Sequence, residues 1–288
     1  MTSRRRGNAV EAVPRAHLAE RAVLELIQIP CLDDNYAWLV VHGAEAFVVD
    51  PPEAAPVLAR LAATGARLVA VLNTHHHADH VGGNAELAAA TGCAVVGNAR
   101  DGGRIPALSR RVDPGQTTVV AGVPLEVFDT SGHTLGHVAY ATSRRFEVVR
   151  RHGHGGVEEA VARLANRPAL FVGDALFGAG CGRLFEGTRE MLTQALKVLA
   201  ARNPAALVCC AHEYTAANLR FARHVLPEHA GIAARAAALD EEAGASRSTV
   251  PSTLQEELAT NPFLLALSAP DPVAAVGALR ADKDVFAV

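Results

Sequence analysis

The segment Thr74-His75-His76-His77-Ala78-Asp79-His80 follows directly on the apolar run Leu68–Leu72 and reads HxHxDH. Imidazole and carboxylate together suit a zinc, iron or manganese ion, and the lack of cysteine in the cluster argues against a structural zinc site. From a tight turn, His75 and His77 can aim at one ion while Asp79 and His80 aim at a neighbour. Four ligands rarely complete two ions, so more belong downstream. Three further apolar runs end on suitable residues: His133 in Ser131-Gly132-His133, Asp174 after Phe171-Val172-Gly173, and His212 after Leu207–Ala211. The plain alternative is a solvated polar loop. Placement of all these residues at strand ends favours ligands, because rigid elements hold a site most firmly through the loops at their ends.

Those strands can be read from short apolar runs between turn signals: Val23–Ile29, Ala37–Val41, Ala46–Val49, Leu68–Leu72, Ala94–Val96, Thr117–Val120, Leu125–Phe128, Ala169–Val172 and Ala206–Cys209. Helices are expected over Ala54–Ala63 and Asn84–Ala90, each ending at a glycine, and over Arg189–Ala200. Gly82-Gly83 lets a helix start close to the HxHxDH turn. Strand pairs followed by alternating strands and helices imply an α/β architecture with helices outside two sheets. After about Tyr214 alanine-rich helical text replaces the strands, and Ser252 with Gln255 reads as a capping box. The division expected is a loose leader over 1–22, a catalytic domain over 23–213 and a small helical domain over 214–288. Within the catalytic domain, Ser143–Pro168 is dense in arginine and reads as a solvated insertion (143–168) with one short helix.

Half of the 288 residues are hydrophobic, enough for a large core, and the net charge is −3. No basic excess points to nucleic acid or an anionic membrane, and no apolar stretch reaches the roughly 20 residues of a membrane span. The cysteines, Cys31, Cys93, Cys181, Cys209 and Cys210, are odd in number and show no CxxC spacing, which predicts a reduced, cytoplasmic setting. Lysine occurs only at Lys197 and Lys283.

HxHxDH followed by His133, Asp174 and His212 resembles the ligand series of the metallo-β-lactamase superfamily. That resemblance implies a four-layer αββα sandwich. It assigns His75, His77 and His133 to one divalent ion, and Asp79, His80 and His212 to a second, with Asp174 bridging both. Zinc is the expected metal, with iron and manganese also suited. The narrower resemblance is to the glyoxalase II family, the hydroxyacylglutathione hydrolases. It rests on Ile29-Pro-Cys-Leu-Asp-Asp-Asn-Tyr36, on Gly173-Asp-Ala-Leu-Phe-Gly-Ala-Gly-Cys-Gly-Arg-Leu-Phe-Glu-Gly-Thr188, on His212-Glu-Tyr-Thr-Ala-Ala-Asn218, and on the tail motifs Asn261-Pro-Phe and Arg280-Ala-Asp-Lys283.

The family resemblance implies thioester hydrolysis of S-(2-hydroxyacyl)glutathione, such as S-D-lactoylglutathione, by a metal-bound hydroxide, with Asp79 and Asp174 as catalytic carboxylates. Arg183, Tyr214 and Asn218 would contact the glutathione body, and Arg280 with Lys283 its glycine carboxylate. The expected partner is this small molecule alone, with no nucleic acid or membrane and a monomeric chain. His76 and His137 are expected to support the site rather than to ligate. Several positions depart from the family pattern: Arg183 for lysine, Phe185 for tyrosine, Pro52 for glycine, Leu265 for a basic residue, and the length of the insertion. Persulfide dioxygenases, which use the same fold with a single iron, and other hydrolases of the superfamily are the competing readings.

Overall fold

The computed structural model describes residues 22–154, 158–242 and 248–286; the leader expected over 1–22 lies outside them except for Ala22. Fourteen strands form two sheets. The first has the order β11-β10-β1-β2-β3-β4-β5-β6, from β1 (Leu24–Cys31), β2 (Asn35–His42), β3 (Glu45–Val49), β4 (Arg67–Leu72), β5 (Ala94–Asn98), β6 (Arg110–Val112), β10 (Val148–His152) and β11 (Glu158–Ala160). The second runs β14-β13-β12-β9-β8-β7, from β7 (Thr117–Val120), β8 (Val123–Asp129), β9 (Val138–Phe146), β12 (Arg167–Gly173), β13 (Leu207–Cys210) and β14 (Ser252–Thr253). The helices are α1 (Ala54–Thr64), α2 (Ala78–Val81), α3 (Asn84–Thr91), α4 (Arg189–Ala200), α5 (Thr215–Val225), α6 (Ala230–Glu242), α7 (Leu254–Thr260), α8 (Pro262–Leu265) and α9 (Pro272–Val285).

β2 shows why the layers stack as they do. All eight of its residues are buried, so it faces apolar surroundings on both sides. Tyr36, Trp38 and Val40 point between the sheets and pack with Phe47, Leu125, Tyr140 and Phe171; Ala37, Leu39 and Val41 point the other way, onto Val57 and Leu61 of α1 and Leu87 of α3. α4 covers the second sheet through Leu192, Leu196 and Leu199. The result is the expected αββα sandwich. Truncating a fully buried Phe47 or Phe171 to alanine would cost about 3–5 kcal/mol. α1 and α3 end at Gly65 and Gly92, both left-handed at φ 70°, as their sequences predict.

Two expectations are corrected. The arginine-dense stretch 143–168 is not a solvated insertion. It continues β9 and then adds β10, parallel to β1, and β11, so it widens the first sheet; its short helix is a single 3-10 turn at Ala162–Leu164. Val149 and Arg151 are buried, while Arg150 pairs with Glu25 and Glu158. Charge on this strand disguised it, and charge is also a usual guard on sheet edges. The capping box lies one residue later than predicted: Thr253 accepts from the Glu256 N–H, and Ser252 belongs to β14, which returns the helical region to the second sheet beside β13.

Candidate metal centre

Each functional side chain stands at or just beyond the end of a strand, one strand from the first sheet and three from the second. β4 delivers Asn73–His77 and the single turn α2, which carries Asp79 and His80; β8 leads to His133, β12 to Asp174, and β13 to His212. The turn after β4 is fixed by Asp50, at the end of β3. Its carboxylate accepts both the Thr74 N–H (2.7 Å) and the Thr74 hydroxyl (2.6 Å). Asp50 adopts φ 48°, a left-handed conformation uncommon outside glycine. Gly173, also at φ 48°, permits β12 to pass Thr74, whose Cβ would lie 2.8 Å from any Cβ at that position.

The loops bring six of the seven predicted ligands together in two groups, His75/His77/His133 and Asp79/His80/His212. Within each, the ligand atoms lie within 4.8 Å of one another. His77 Nδ1 stands 3.0 Å from His133 Nε2. In the second group, Asp79 Oδ2 lies 3.6 Å from His80 Nε2 and 3.4 Å from His212 Nε2. Asp174 sits between the groups. Its Oδ2 is 3.4 Å from His133 Nε2, and its Oδ1 is 3.4 Å from His80 Nε2 and 3.5 Å from His212 Nε2. A third combination, Asp50 with His75 and His80, is also close, but Asp50 is already spent on Thr74.

The other ring nitrogens are held from behind. His75 Nδ1 contacts the Thr74 hydroxyl (3.1 Å), His133 Nδ1 the Arg183 carbonyl (2.8 Å) and His212 Nδ1 the Asp34 carboxylate (2.8 Å). His80 Nδ1 lies 3.2 Å from Asp50 Oδ2, off the line of a good hydrogen bond. Partners of this kind fix ring orientation and leave the opposite nitrogen free for a metal. Among buried polar atoms, His75 Nε2, His80 Nε2 and Asp174 Oδ1 have no hydrogen-bond partner. Such orphaned atoms are costly unless something binds them, and a divalent cation is what this donor set fits.

The two groups differ electrically. Burial lowers the pKa of His75, His77 and His133; neighbouring imidazoles deepen the effect at His75 and His77, while Asp174 and the Arg183 carbonyl oppose it at His133 without overturning it. Burial also pulls His80 and His212 down, but there the carboxylates win: Asp174, Asp50 and Asp79 raise His80 to about 9, and Asp79, Asp174 and Asp34 raise His212. Burial would raise the Asp79 carboxyl; hydrogen bonds with His212 and Asn35 and the charge of His80 overturn this and hold it well below the usual carboxylate range.

His137 and His76 take supporting places. His137 is fully buried, meets the Thr130 hydroxyl through Nδ1 (2.8 Å) and accepts the Asp174 N–H through Nε2 (3.2 Å). His76 turns to Asp101 at 3.4 Å. Sequence reasoning passed over Asp34, Asn35 and Asp50. Asn35 donates to the Asp79 carbonyl (3.1 Å) and carboxylate (3.2 Å). Their available signal was a carboxylate or amide at the end of β3 or in the β1–β2 turn, beside the strand that bears the ligands.

The centre forms the floor of a cavity of about 600 Å³, and Arg183, Tyr214, Asn218, Arg280 and Lys283 also line it. Tyr214 stacks on His212 at 4.7 Å, and the exposed Phe185 ring meets His77 and His133 edge-on. Asn218 and Arg280 are buried and partly engaged. Asn218 Nδ2 donates to the Gly178 carbonyl (3.0 Å). Arg280 donates to the Cys181 carbonyl (2.8 Å) and to Asp284 (3.0 Å), while its buried Nε lacks a partner. Lys283 Nζ lies 3.5 Å from the Ala217 carbonyl.

Two family models match the chain: the metallo-beta-lactamase superfamily over residues 32–212 and the hydroxyacylglutathione hydrolase C-terminus over 213–286. A hydroxyacylglutathione hydrolase of Acidiphilium cryptum is 43% identical over 261 residues, covering 91% of this chain and 96% of its own. One of Methylococcus capsulatus is 43% identical over 277 residues, covering 92% and 99%. Among solved structures, that of ETHE1 from Myxococcus xanthus shares the fold with a TM-score of 0.62 at 20% identity, over 91% of this chain and 92% of that one.

Proposed function

The chain belongs to the metallo-beta-lactamase superfamily and, within it, to the hydroxyacylglutathione hydrolases, and from that membership we infer that it cleaves S-(2-hydroxyacyl)glutathione thioesters, such as S-D-lactoylglutathione, to glutathione and the 2-hydroxy acid (D-lactate). The observation that carries the inference is the Asp174 carboxylate, with one oxygen facing each ligand group, at the floor of a cavity whose wall holds Arg280 and Lys283.

We assign one divalent ion to His75, His77 and His133, a second to Asp79, His80 and His212, and Asp174 to both. Zinc is our choice, with iron and manganese also compatible with imidazole and carboxylate donors. Two such ions supply hydroxide at neutral pH and polarise a carbonyl oxygen. Asp79, kept ionised by His212, His80 and Asn35, would serve both as a ligand and to orient the attacking oxygen. The leaving thiolate, with a parent pKa of about 8.5, needs no strong general acid. Tyr214, on His212, walls the reacting centre, and with Arg183 and Asn218 contacts the glutathione body. Arg280 and Lys283, which line the same cavity, supply the positive charge for the glycine carboxylate. Burial and the nearby charges of Arg280, Arg220 and Arg183 lower the Lys283 pKa, so an anion there would relieve like-charge repulsion.

We propose 23–213 as the catalytic domain, 214–288 as the substrate-binding domain, and a monomer acting in the cytoplasm. The five cysteines, all free and buried, support a reducing compartment, and no helix among the described residues is long and apolar enough to cross a membrane.

The test is hydrolysis of S-D-lactoylglutathione by purified protein, with metal content measured on the same sample. Thioester loss with about two ions per chain, abolished in Asp174→Ala, is the expected result. One iron per chain and oxygen uptake with a glutathione persulfide would overturn it.

A further inference from the structure

The segment Ala175–Gly182, directly behind Asp174, makes little regular structure of its own. Beyond a two-way backbone pairing between Phe177 and Gly180 and a bond from the Ala175 N–H to the Val172 carbonyl, several of its buried backbone groups are taken by side chains from the helical region. Asn218 of α5 donates to the Gly178 carbonyl (3.0 Å). Glu257 of α7 accepts the Ala179 N–H (2.8 Å). Asn261, between α7 and α8, donates to the carbonyls of Phe177 (3.2 Å) and Gly180 (3.0 Å). Arg280 of α9 donates to the Cys181 carbonyl (2.8 Å).

The clamp is itself tied together. Glu257 and Asn261 are fully buried, lie 3.2 Å apart, and Glu257 is held by Arg235 of α6 at 2.6 Å. Close approach demands glycine here: a Cβ at Gly180 would lie 2.6 Å from Asn218 Cγ, and one at Gly178 would collide with Thr215. Ala179 tolerates φ 54° and is wholly buried against Leu219, Ala222, Ile232 and Ala236. A buried loop whose polar backbone is satisfied from outside depends on those partners for its shape.

We infer that Asn218, Glu257, Asn261 and Arg280 act as positioning residues for the metal centre: the helical region sets the place of Asp174 by gripping the loop behind it, in addition to any contact with substrate. The inference rests on Asp174 as a bridging ligand. Two metal groups that share one carboxylate are sensitive to where it stands, and loss of an outer partner behind a ligand costs about 10- to 100-fold in affinity.

The experiment is chelator competition for Zn²⁺ bound to the full chain, with melting temperature recorded on each sample. Asn261→Asp keeps side-chain size and the oxygen that caps Phe263, but replaces the donors to Phe177 and Gly180 with an acceptor. Val57→Ala, a core truncation beneath α1, serves as a control that lowers stability without touching the loop. The expected result is a loss of zinc affinity in Asn261→Asp of about tenfold or more, and none in Val57→Ala at a comparable or lower melting temperature. Should Asn261→Asp fail to fold, Asn218→Asp, which disturbs only the bond to Gly178, is read in the same way. A folded clamp variant that holds zinc within twofold of the unaltered chain overturns the inference and leaves the proposed function standing. Equal losses in the clamp variant and in Val57→Ala overturn it too. An unaltered chain that binds no divalent ion removes the metal assignment along with it.

Discussion

The floor of the pocket and its helical wall use similar polar groups in opposite ways. At the floor, His75, His80 and Asp174 keep atoms buried and unspent, all converging on one small volume, while every imidazole except His77 is steadied from behind by a neighbour. At the wall, Asn218 and Arg280 each already give a donor to the protein's own backbone, Arg280 a second to Asp284, and Lys283 lies over Phe221 and Phe286. A group with free capacity at a rigid position is built to receive something. One already tied to the backbone serves the fold first and a ligand with what remains. The floor should therefore fail abruptly under substitution and the wall by degrees.

The sharpest break is expected from His133→Ala. Loss of one of three imidazoles should release about one ion per chain and reduce turnover by roughly three orders of magnitude, on the order of 4 kcal/mol in the barrier. Metal analysis and kcat on the same sample check it. Next is Asp50→Asn, which ligates nothing but supports both Thr74 and His80; metal affinity should fall about 10- to 100-fold with the ligands intact. An unchanged affinity would show that the turn after β4 holds itself.

At the wall, Lys283→Ala should raise KM about tenfold with little change in kcat, since it removes a contact made equally in ground and transition states. Arg280→Ala should raise KM and also weaken metal binding, because only Arg280 grips Cys181. If the two variants behave alike, the contrast between a committed and an uncommitted wall residue disappears. The smallest effect concerns Cys181, which lines the same pocket. Burial raises its pKa to about 11, and at pH 8, where the thiol is protonated, iodoacetamide should leave activity intact.

How much of this was legible in the sequence follows the same division. The seven proposed ligands stand out in the sequence because each follows an apolar strand, and the fold gathers them in one place. Asp34, Asn35 and Asp50 could not, since what defines them is a neighbour across the sheet: Asp50 meets Thr74 only because β3 and β4 lie parallel in register. β10 hid behind arginines whose charges are answered across the sheet, Arg150 by Glu25 and Glu158 and Arg151 by Glu159. Glu257 looked like an ordinary helix residue and Asn261 only like part of a tail motif; their burial, and the loop they hold, exist only once the helical region is packed in place.

β14 also bears on the order of events during synthesis. All seven proposed ligands have been synthesised once His212 is added, but Ser252 and Thr253, which cover the open side of β13, and Arg280, which secures Cys181, come later. At about 5–20 residues per second that interval lasts several seconds. For that time the nascent chain presents an uncovered strand edge, a template for pairing with another chain, beside a ligand set that is chemically complete but not yet braced. Lasting metal capture is thereby tied to the last part of the chain to emerge, so an incompletely made protein has little means of holding its metal.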